Sequence, residues 1–293
     1  MLILDAADTR RALTMAAAIE AMKVGLGDDR EVPLRALLGG SMFMPGRAGA
    51  NTGVKVVSVV PGHPVGIVVV FGSDGLAIGI VDGPTLTSIR TGAAAGLATS
   101  LLARPDSKVM AMLGAGAMAA DQVAAVASVR ILEEVRVWSR RPERARQLVE
   151  RLRALGLRAA AAASADDAVQ GADIVTTATP SQTPLFGDDS IEAGTHINAV
   201  GAFTPEMCEI PSETVHRSYP VVDDLEAAAA EAGDLLQAGR APVATIADVL
   251  VGRHPQIGED VTLFKSVGIA SQDVAAGATA LERARALGLG TKV

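Results

Sequence analysis

The sequence predicts an α/β chain in two parts, a mixed α+β domain followed by a doubly wound parallel sheet. Three observations predict it. Segments rich in Val and Ile, joined by turn signals, fill the first part of the chain, as in VKVVSVV (54–60) and IVVVF (67–71). From Lys108 onward, apolar strand segments alternate with helical ones, the pattern of parallel strands joined by crossover helices. At the head of that series KVMAML runs into Gly114-Ala115-Gly116 and then into a helix.

In order along the chain, 2–4 is a short apolar strand, and Asp5 and Asp8 can cap the helical segment behind it. Residues 14–26 carry Met15, Ala18, Ile19, Met22 and Leu26 at helical spacing, and Gly27 ends the helix. The stretch 41–53 is glycine-rich and reads as loop, with 42–44 as an edge strand. Strands follow at 54–60, 67–71 and 76–81, separated by the PGHP turn (61–64) and by Ser73-Asp74-Gly75. Asp82-Gly83-Pro84 ends this antiparallel sheet, and 85–103 is a long Ala-rich helix stopped by Arg104-Pro105. The parallel strands are expected at 108–113, 134–139, 157–162, 173–178, 195–200 and 219–223, with helices at about 117–130, 142–155 and 164–170. Ala159 to Ala163 is helical by propensity alone. It is read as a strand because Ser164 and Asp167 resemble a capping box opening the next helix. Helices at 225–238 and 243–251, a short strand at 261–264 and a final amphipathic helix at 269–287 complete the chain. The boundaries expected are 1–105 with 270–293, and 106–269.

Composition narrows the function. The chain is 49% hydrophobic and 20% charged, enough for a substantial core. Aromatics are only 2%, so that core is built from Val, Ile, Leu, Ala and Met. A net charge of -7 argues against a nucleic-acid partner. No uninterrupted apolar run of about 18 residues predicts a membrane span, and the N-terminus lacks the pattern of a signal peptide. One cysteine, Cys208, excludes an internal disulfide and fits a reducing cytoplasm. The four histidines are scattered, and no His/Cys/carboxylate cluster has metal-ligand spacing, so no metal is expected. His63, in the PGHP turn, is the one histidine placed to touch a substrate; His196 reads as packed, and His216 and His254 as surface residues.

Gly114, Gly116 and Ala119 make G-x-G-x-x-A. The first glycine permits a tight turn, the second lets the backbone approach a pyrophosphate, and the small third residue lets helix and strand pack closely. N–H groups at the helix start then face phosphates. This is the signature of a Rossmann dinucleotide-binding unit, and the turn residues Gly114, Ala115, Gly116, Ala117 and Met118 are its cofactor contacts. At the end of the next strand NAD-specific enzymes carry Asp or Glu. Here stand Ser139, Arg140 and Arg141. No carboxylate is there to repel a 2′-phosphate, and two cations can pair with one. The expected cofactor is NADP(H), with NAD(H) possible. The competing reading leaves the arginines exposed at a strand end and Trp138 as a packing residue.

The chain resembles the ornithine cyclodeaminase/mu-crystallin family, which also contains alanine dehydrogenases and ketimine reductases. The resemblance is carried by VPLR (32–35), MPG (44–46), GVKVVS (53–58), LTSIRTGAAAGLA (86–98), MLGAGAMA (112–119), VWSRRPERA (137–145), ADIVTTATPS (172–181), GTHINAVGAFTPEMCEI (194–210) and DVTLFKSVGIASQD (260–273). It implies a homodimer whose first domain, with the C-terminal helix, binds substrate and makes the dimer. It implies an active site between the domains. Carried over by position, Arg35, Lys55 and Arg90 would face a substrate carboxylate. Arg90 and Thr91 would approach the cofactor phosphates, and Thr179, Val200, Ser266 and Val267 would line the rest of the cofactor.

These roles agree with the residues' own chemistry. A lysine in an apolar strand is costly to bury unless paired, and burial can lower its pKa toward proton transfer. Two arginines can hold one carboxylate. The structural alternatives are an outward-facing Lys55, a surface Arg35 with Arg47 as competitor, and Arg90 as a helix-face ion pair. One departure matters. Members that cyclise ornithine carry an aspartate shortly after HINAVG, and Phe203 stands at that position here, within the substrate site. The expectation is therefore an NAD(P)H-dependent oxidoreductase, with Lys55 and Arg90 catalytic, that transfers hydride to the imine carbon of an imino acid or reversibly oxidises an amino acid. The alternatives are an ornithine cyclodeaminase-type lyase with bound NAD, and a non-catalytic NADPH-dependent small-ligand binder.

Overall fold

The computed structural model describes residues 1–60, 65–254 and 261–293, so His63 and the PGHP turn lie outside the described residues. The chain divides into two units, Met1–Ala94 with Ile269–Val293, and Ala95–Gly268. The division falls inside a helix rather than at Arg104-Pro105.

The first unit opens with β1 (Leu2–Leu4), then α1 (Ala6–Ala12), capped by Asp5, and α2 (Met15–Gly25), capped by Thr14. Next come β2 (Arg30–Glu31), β3 (Ala36–Leu38), β4 (Ser41–Ala48), β5 (Asn51–Ser58), β6 (Gly66–Phe71) and β7 (Ala77–Asp82). The helix α3 (Gly83–Leu102) carries the chain from one unit into the other.

In the second unit, β8 (Val109–Leu113), α4 (Ala119–Ala127), β9 (Glu134–Trp138), α5 (Pro142–Ala154), β10 (Ala159–Ala161), α6 (Ala165–Val169), β11 (Ile174–Thr177) and β12 (His196–Ala199) alternate as expected. The capping box of Ser164 and Asp167 is formed, which ends β10 and starts α6 against the helical propensity of its alanines. Then follow α7 (Ser212–Arg217), β13 (Ser218–Val222), α8 (Leu225–Glu231), α9 (Gly233–Ala238), β14 (Ala244–Thr245), α10 (Ile246–Leu250) and β15 (Val261–Lys265). The sheet order is β10-β9-β8-β11-β12-β15-β13-β14, parallel throughout. The winding reverses between β8 and β11, and a crevice opens at the carboxyl ends of strands at such a switch point. The doubly wound prediction stands.

The short strand expected at 261–264 is present as β15, fully buried between β12 and β13. The helix expected over 225–238 is broken at Ala232, whose ψ of 77° is not helical. The break lets Gly233 approach the backbone of 204–207, where a Cβ would lie 2.5 Å from the Thr204 carbonyl oxygen.

The chain then returns to the first unit as α11 (Ala270–Leu287) and β16 (Thr291–Lys292). That unit's sheet runs β16-β1-β7-β6-β5-β4-β2, with β3 also on β4. It is antiparallel except where β1 pairs with β7. Residues 41–53 are not a loop, and 42–44 is not an edge strand: β4 and β5 form a hairpin in register from Ser41↔Ser58 to Ala48↔Asn51. The glycines there serve close packing rather than flexibility. A Cβ on Gly46 would lie 2.8 Å from Ala270 Cβ, and one on Gly53 would lie 3.0 Å from Val274 Cγ2. So α11 lies against this face of the sheet. Met44, Lys55 and Val68 are cross-strand neighbours on three adjacent strands, and all are buried. Among the described residues no helix is long and apolar enough to cross a membrane.

Candidate active site

The glycine turn is built from the end of β8. Gly114 has φ of 110°, in the left-handed region, and a Cβ there would lie 2.7 Å from the Ala178 carbonyl oxygen beyond β11. Only glycine fits both conditions. Gly116 is the opposite case, with no atom within 4 Å of where its Cβ would be, so its backbone borders open space. Ala117 and Met118 complete the turn, and Met118 caps α4 without a side-chain hydrogen bond. Ala119 is buried in the core beneath the helix. These features suit a pyrophosphate lying on the turn.

The turn borders a crevice of about 570 Å3, walled on one side by Trp138, Ser139, Arg140, Arg141 and Arg144, and on the other by Ala178 to Pro180. No carboxylate lines it. The three arginines are exposed, and the Ser139 Oγ accepts the Arg141 N–H at 3.3 Å. This donor set fits the phosphates of a dinucleotide. Arg144, on the first turn of α5, escaped the sequence reading because that reading stopped at the strand end.

The loops beyond β11, β12 and β15 are held by buried carboxylates. Glu209 accepts from Thr177 Oγ1 (2.9 Å), Thr179 N (2.7 Å), Thr179 Oγ1 (2.8 Å), Gly201 N (2.8 Å) and Ala202 N (3.1 Å). Burial raises its pKa, against the opposing pull of Lys265 and the Thr179 donors. Asp223 Oδ2 accepts from Ser266 Oγ (2.8 Å), Val267 N (3.0 Å) and Gly268 N (2.8 Å). Asp223, at the end of β13 where a carboxylate would ordinarily be solvated, is fully buried. Lys265 pairs with Asp234 at 2.7 Å, both at 0% side-chain exposure, and its ammonium also donates to the Ala202 carbonyl. Thr179 borders the crevice, whereas Val200, Ser266 and Val267 are buried at strand ends farther along the sheet and outside its lining. Phe203 follows the Glu209-bound turn and is 44% exposed.

In the first unit, Lys55 and Arg90 come together. Lys55 Nζ lies 3.5 Å and Arg90 Nε 3.0 Å from the same oxygen, Asp273 Oδ1, on the first turn of α11. Arg90 Nη1 donates to Gln272 Oε1 at 2.6 Å. Desolvation lowers the Lys55 pKa to about 8; Asp273 raises it, and Arg90 and Arg35 lower it. Arg35 is half-buried just ahead of β3, its Nη1 4.0 Å from Met42 Sδ. The competitor Arg47 is committed to Asp29 and Glu31 at 2.6 and 2.8 Å. Thr91 is buried one residue beyond Arg90. Gln272 and Asp273 were missed because a Gln-Asp pair at a helix start reads as capping chemistry.

The remaining candidates are structural. His196 is buried between Thr262 Oγ1 (2.9 Å) and Asn198 Oδ1 (3.1 Å), and desolvation lowers its pKa to about 3. His216 is exposed, and His254 packs edge-on to Tyr219. Burial pushes the Cys208 thiol up to about 11. Among the described residues no cluster of three or more His, Cys, Asp or Glu is placed to hold a metal.

Comparison with known proteins agrees with this architecture. The sequence profile of the ornithine cyclodeaminase/mu-crystallin family matches residues 30–287. The chain is 35% identical over 266 residues to a Δ1-pyrroline-2-carboxylate reductase of Bacillus cereus, covering 82% of this chain and 80% of that one. It is 33% identical over 219 residues to mouse ketimine reductase mu-crystallin, covering 75% and 69%. The Thermococcus litoralis Δ1-pyrroline-2-carboxylate reductase, solved with NADH and L-proline, superposes with a TM-score of 0.93 at 31% identity over the whole of both chains. The chain belongs to the ornithine cyclodeaminase/mu-crystallin family.

Proposed function

We propose that this chain reduces a carboxylated cyclic ketimine, such as pyrroline- or piperideine-2-carboxylate, with NADPH preferred over NADH. It is an NAD(P)H-dependent oxidoreductase acting on CH–NH bonds, as its reductase relatives are named. The observation that carries the substrate class is the cation cluster: Lys55 and Arg90 share one carboxylate oxygen, with Arg35 close by. Two buried cations on one carboxylate oxygen leave an excess of positive charge, and an anionic substrate group relieves it.

The bound cofactor supplies a hydride, which adds to the imine carbon. Arg35 and Arg90 hold the substrate carboxylate and so fix which carbon is presented. Lys55 gives a proton to the imine nitrogen, so that C=N becomes HC–NH. With a pKa near 8, Lys55 is charged at neutral pH yet gives up its proton more readily than an exposed lysine. Glu209 and Asp223 hold the strand-end loops at Thr179, Gly201 and Ser266 to Gly268. Ser139 and the arginines 140, 141 and 144, with no carboxylate on the crevice wall, support NADPH over NADH. Phe203 offers no proton acceptor for the distal amine that cyclodeamination of ornithine requires. The exposed β3 leucines, Leu37 at 68% and Leu38 at 73%, support a homodimer made through the first unit.

A panel of cyclic ketimines, 2-oxo acids with amines, and ornithine, run with both cofactors, tests this. Stoichiometric NADPH consumption with a ketimine is expected. Ammonia release from ornithine without net change in NADPH would overturn it.

A further inference from the structure

We propose that Asp273 is the positioning residue of the cation cluster, the buried counter-ion that holds Lys55 charged and aims Arg90. This rests on the reading of Lys55 as proton donor. The geometry is specific. Asp273 sits on the first turn of α11, where the helix dipole favours a negative charge. Ser271 Oγ donates to the Gly25 carbonyl at 2.6 Å and pins that turn to α2. Ala270 packs on Gly46. The carboxylate thus stands on a fixed support, at 1% side-chain exposure.

Both cations use Oδ1, while Oδ2 is buried without a hydrogen-bond partner. Its neighbour Gln272 is held the same way: Oε1 takes Arg90 Nη1, and Nε2 is buried without a partner. The spare oxygen matters for turnover. When Arg90 turns its guanidinium toward a substrate carboxylate, Asp273 keeps Lys55 without either oxygen being fully committed. Among the described residues the charged groups that act on Lys55 divide by sign: Arg90 from α3 and Arg35 from ahead of β3 favour loss of its proton, and Asp273 from α11 opposes it. Its cross-strand neighbours, Met44 and Val68, carry no charge. Removing Asp273 takes away the carboxylate that Lys55 and Arg90 share and leaves those two buried cations facing each other.

The test is the isosteric Asp273→Asn in the NADPH-bound protein, read in two ways. The first is the alkaline limb of kcat/KM for the ketimine, where loss of the Lys55 proton ends activity. The second is the pH titration of the Lys55 Cε resonance in protein with labelled lysine, assigned by Lys55→Arg. The limb and the resonance are expected to midpoint near pH 8 in the wild type. Both are expected to fall by about one unit or more in Asp273→Asn, the size of a lost neighbouring charge. Asp273→Glu is expected to restore most of the shift, and NADPH affinity to change less than about twofold in either variant. If Asp273→Asn does not fold, Asp273→Ser carries the same expectation. An unshifted Lys55 resonance overturns the proposal. A shifted resonance without ketimine turnover in the wild type leaves the counter-ion role standing and removes the ketimine reading instead.

Discussion

Replacing Lys265 by Met strands a negative charge inside the second unit. Lys265 and Asp234 both have 0% side-chain exposure, and their 2.7 Å contact is an ion pair without hydrogen-bond alignment. Asp234 Oδ1 also accepts the Glu209 and Ile210 N–H groups at 2.6 and 3.0 Å, so the carboxylate cannot swing out to water without releasing both. Glu209 is a second buried carboxylate that feels the same lysine. Removing one member of a fully buried pair costs about 3–5 kcal/mol. Against a total stability of about 5–15 kcal/mol this is a large fraction. For a unit of this size the melting temperature is expected to fall on the order of 10 °C. The double variant Lys265→Met/Asp234→Asn removes the charge and keeps an oxygen for the two N–H groups. It is expected to recover all but about 1–2 kcal/mol. Calorimetric melting of the wild type, single and double variants measures this. A single variant within about 1 kcal/mol of wild type, or a double variant no better than the single, would show that the charge is not stranded.

Two further changes address the cofactor crevice. Ser139→Asp places a carboxylate on the wall beside Arg140 and Arg141; kcat/KM for NADPH is expected to drop at least about tenfold (~1.4 kcal/mol) while that for NADH holds or rises, and an unchanged ratio refutes the phosphate-site reading. Gly114→Ala forces a side chain into a φ of 110° and to within 2.7 Å of the Ala178 oxygen; titration calorimetry is expected to show NADPH affinity reduced about tenfold or more, and wild-type affinity would mean the turn adapts.

What was legible in the sequence was what depends on neighbours along the chain. The strand–glycine–helix order at Leu113 to Ala119, the capping box at Ser164 and the charge of Lys55 in an apolar strand are all local signals. The failures are non-local. Asp223 looks solvated until β15 is known to lie beside β13, with Val222 opposite Lys265; only then do the N–H groups of Val267 and Gly268 come within reach of it. Gly46 and Gly53 look like loop glycines until α11 is laid on them. Asp273 lies 218 residues from Lys55, and no spacing rule connects the two. Ala232 ends a helix because the backbone at 204–207 comes close to Gly233, which no helix propensity contains.

The scarcity of aromatic residues has an optical consequence. Trp138 is the only tryptophan of the chain, and Tyr219 the only tyrosine. Trp138 ends β9 on the wall of the crevice beside Ser139 and Arg140. Excited beyond the absorption of tyrosine, the protein emits from a single indole, located where the dinucleotide is expected. Reduced nicotinamide absorbs where indole emits. Occupancy of the crevice is therefore readable without a label, as loss of indole emission and gain of nicotinamide emission from one donor whose position is known.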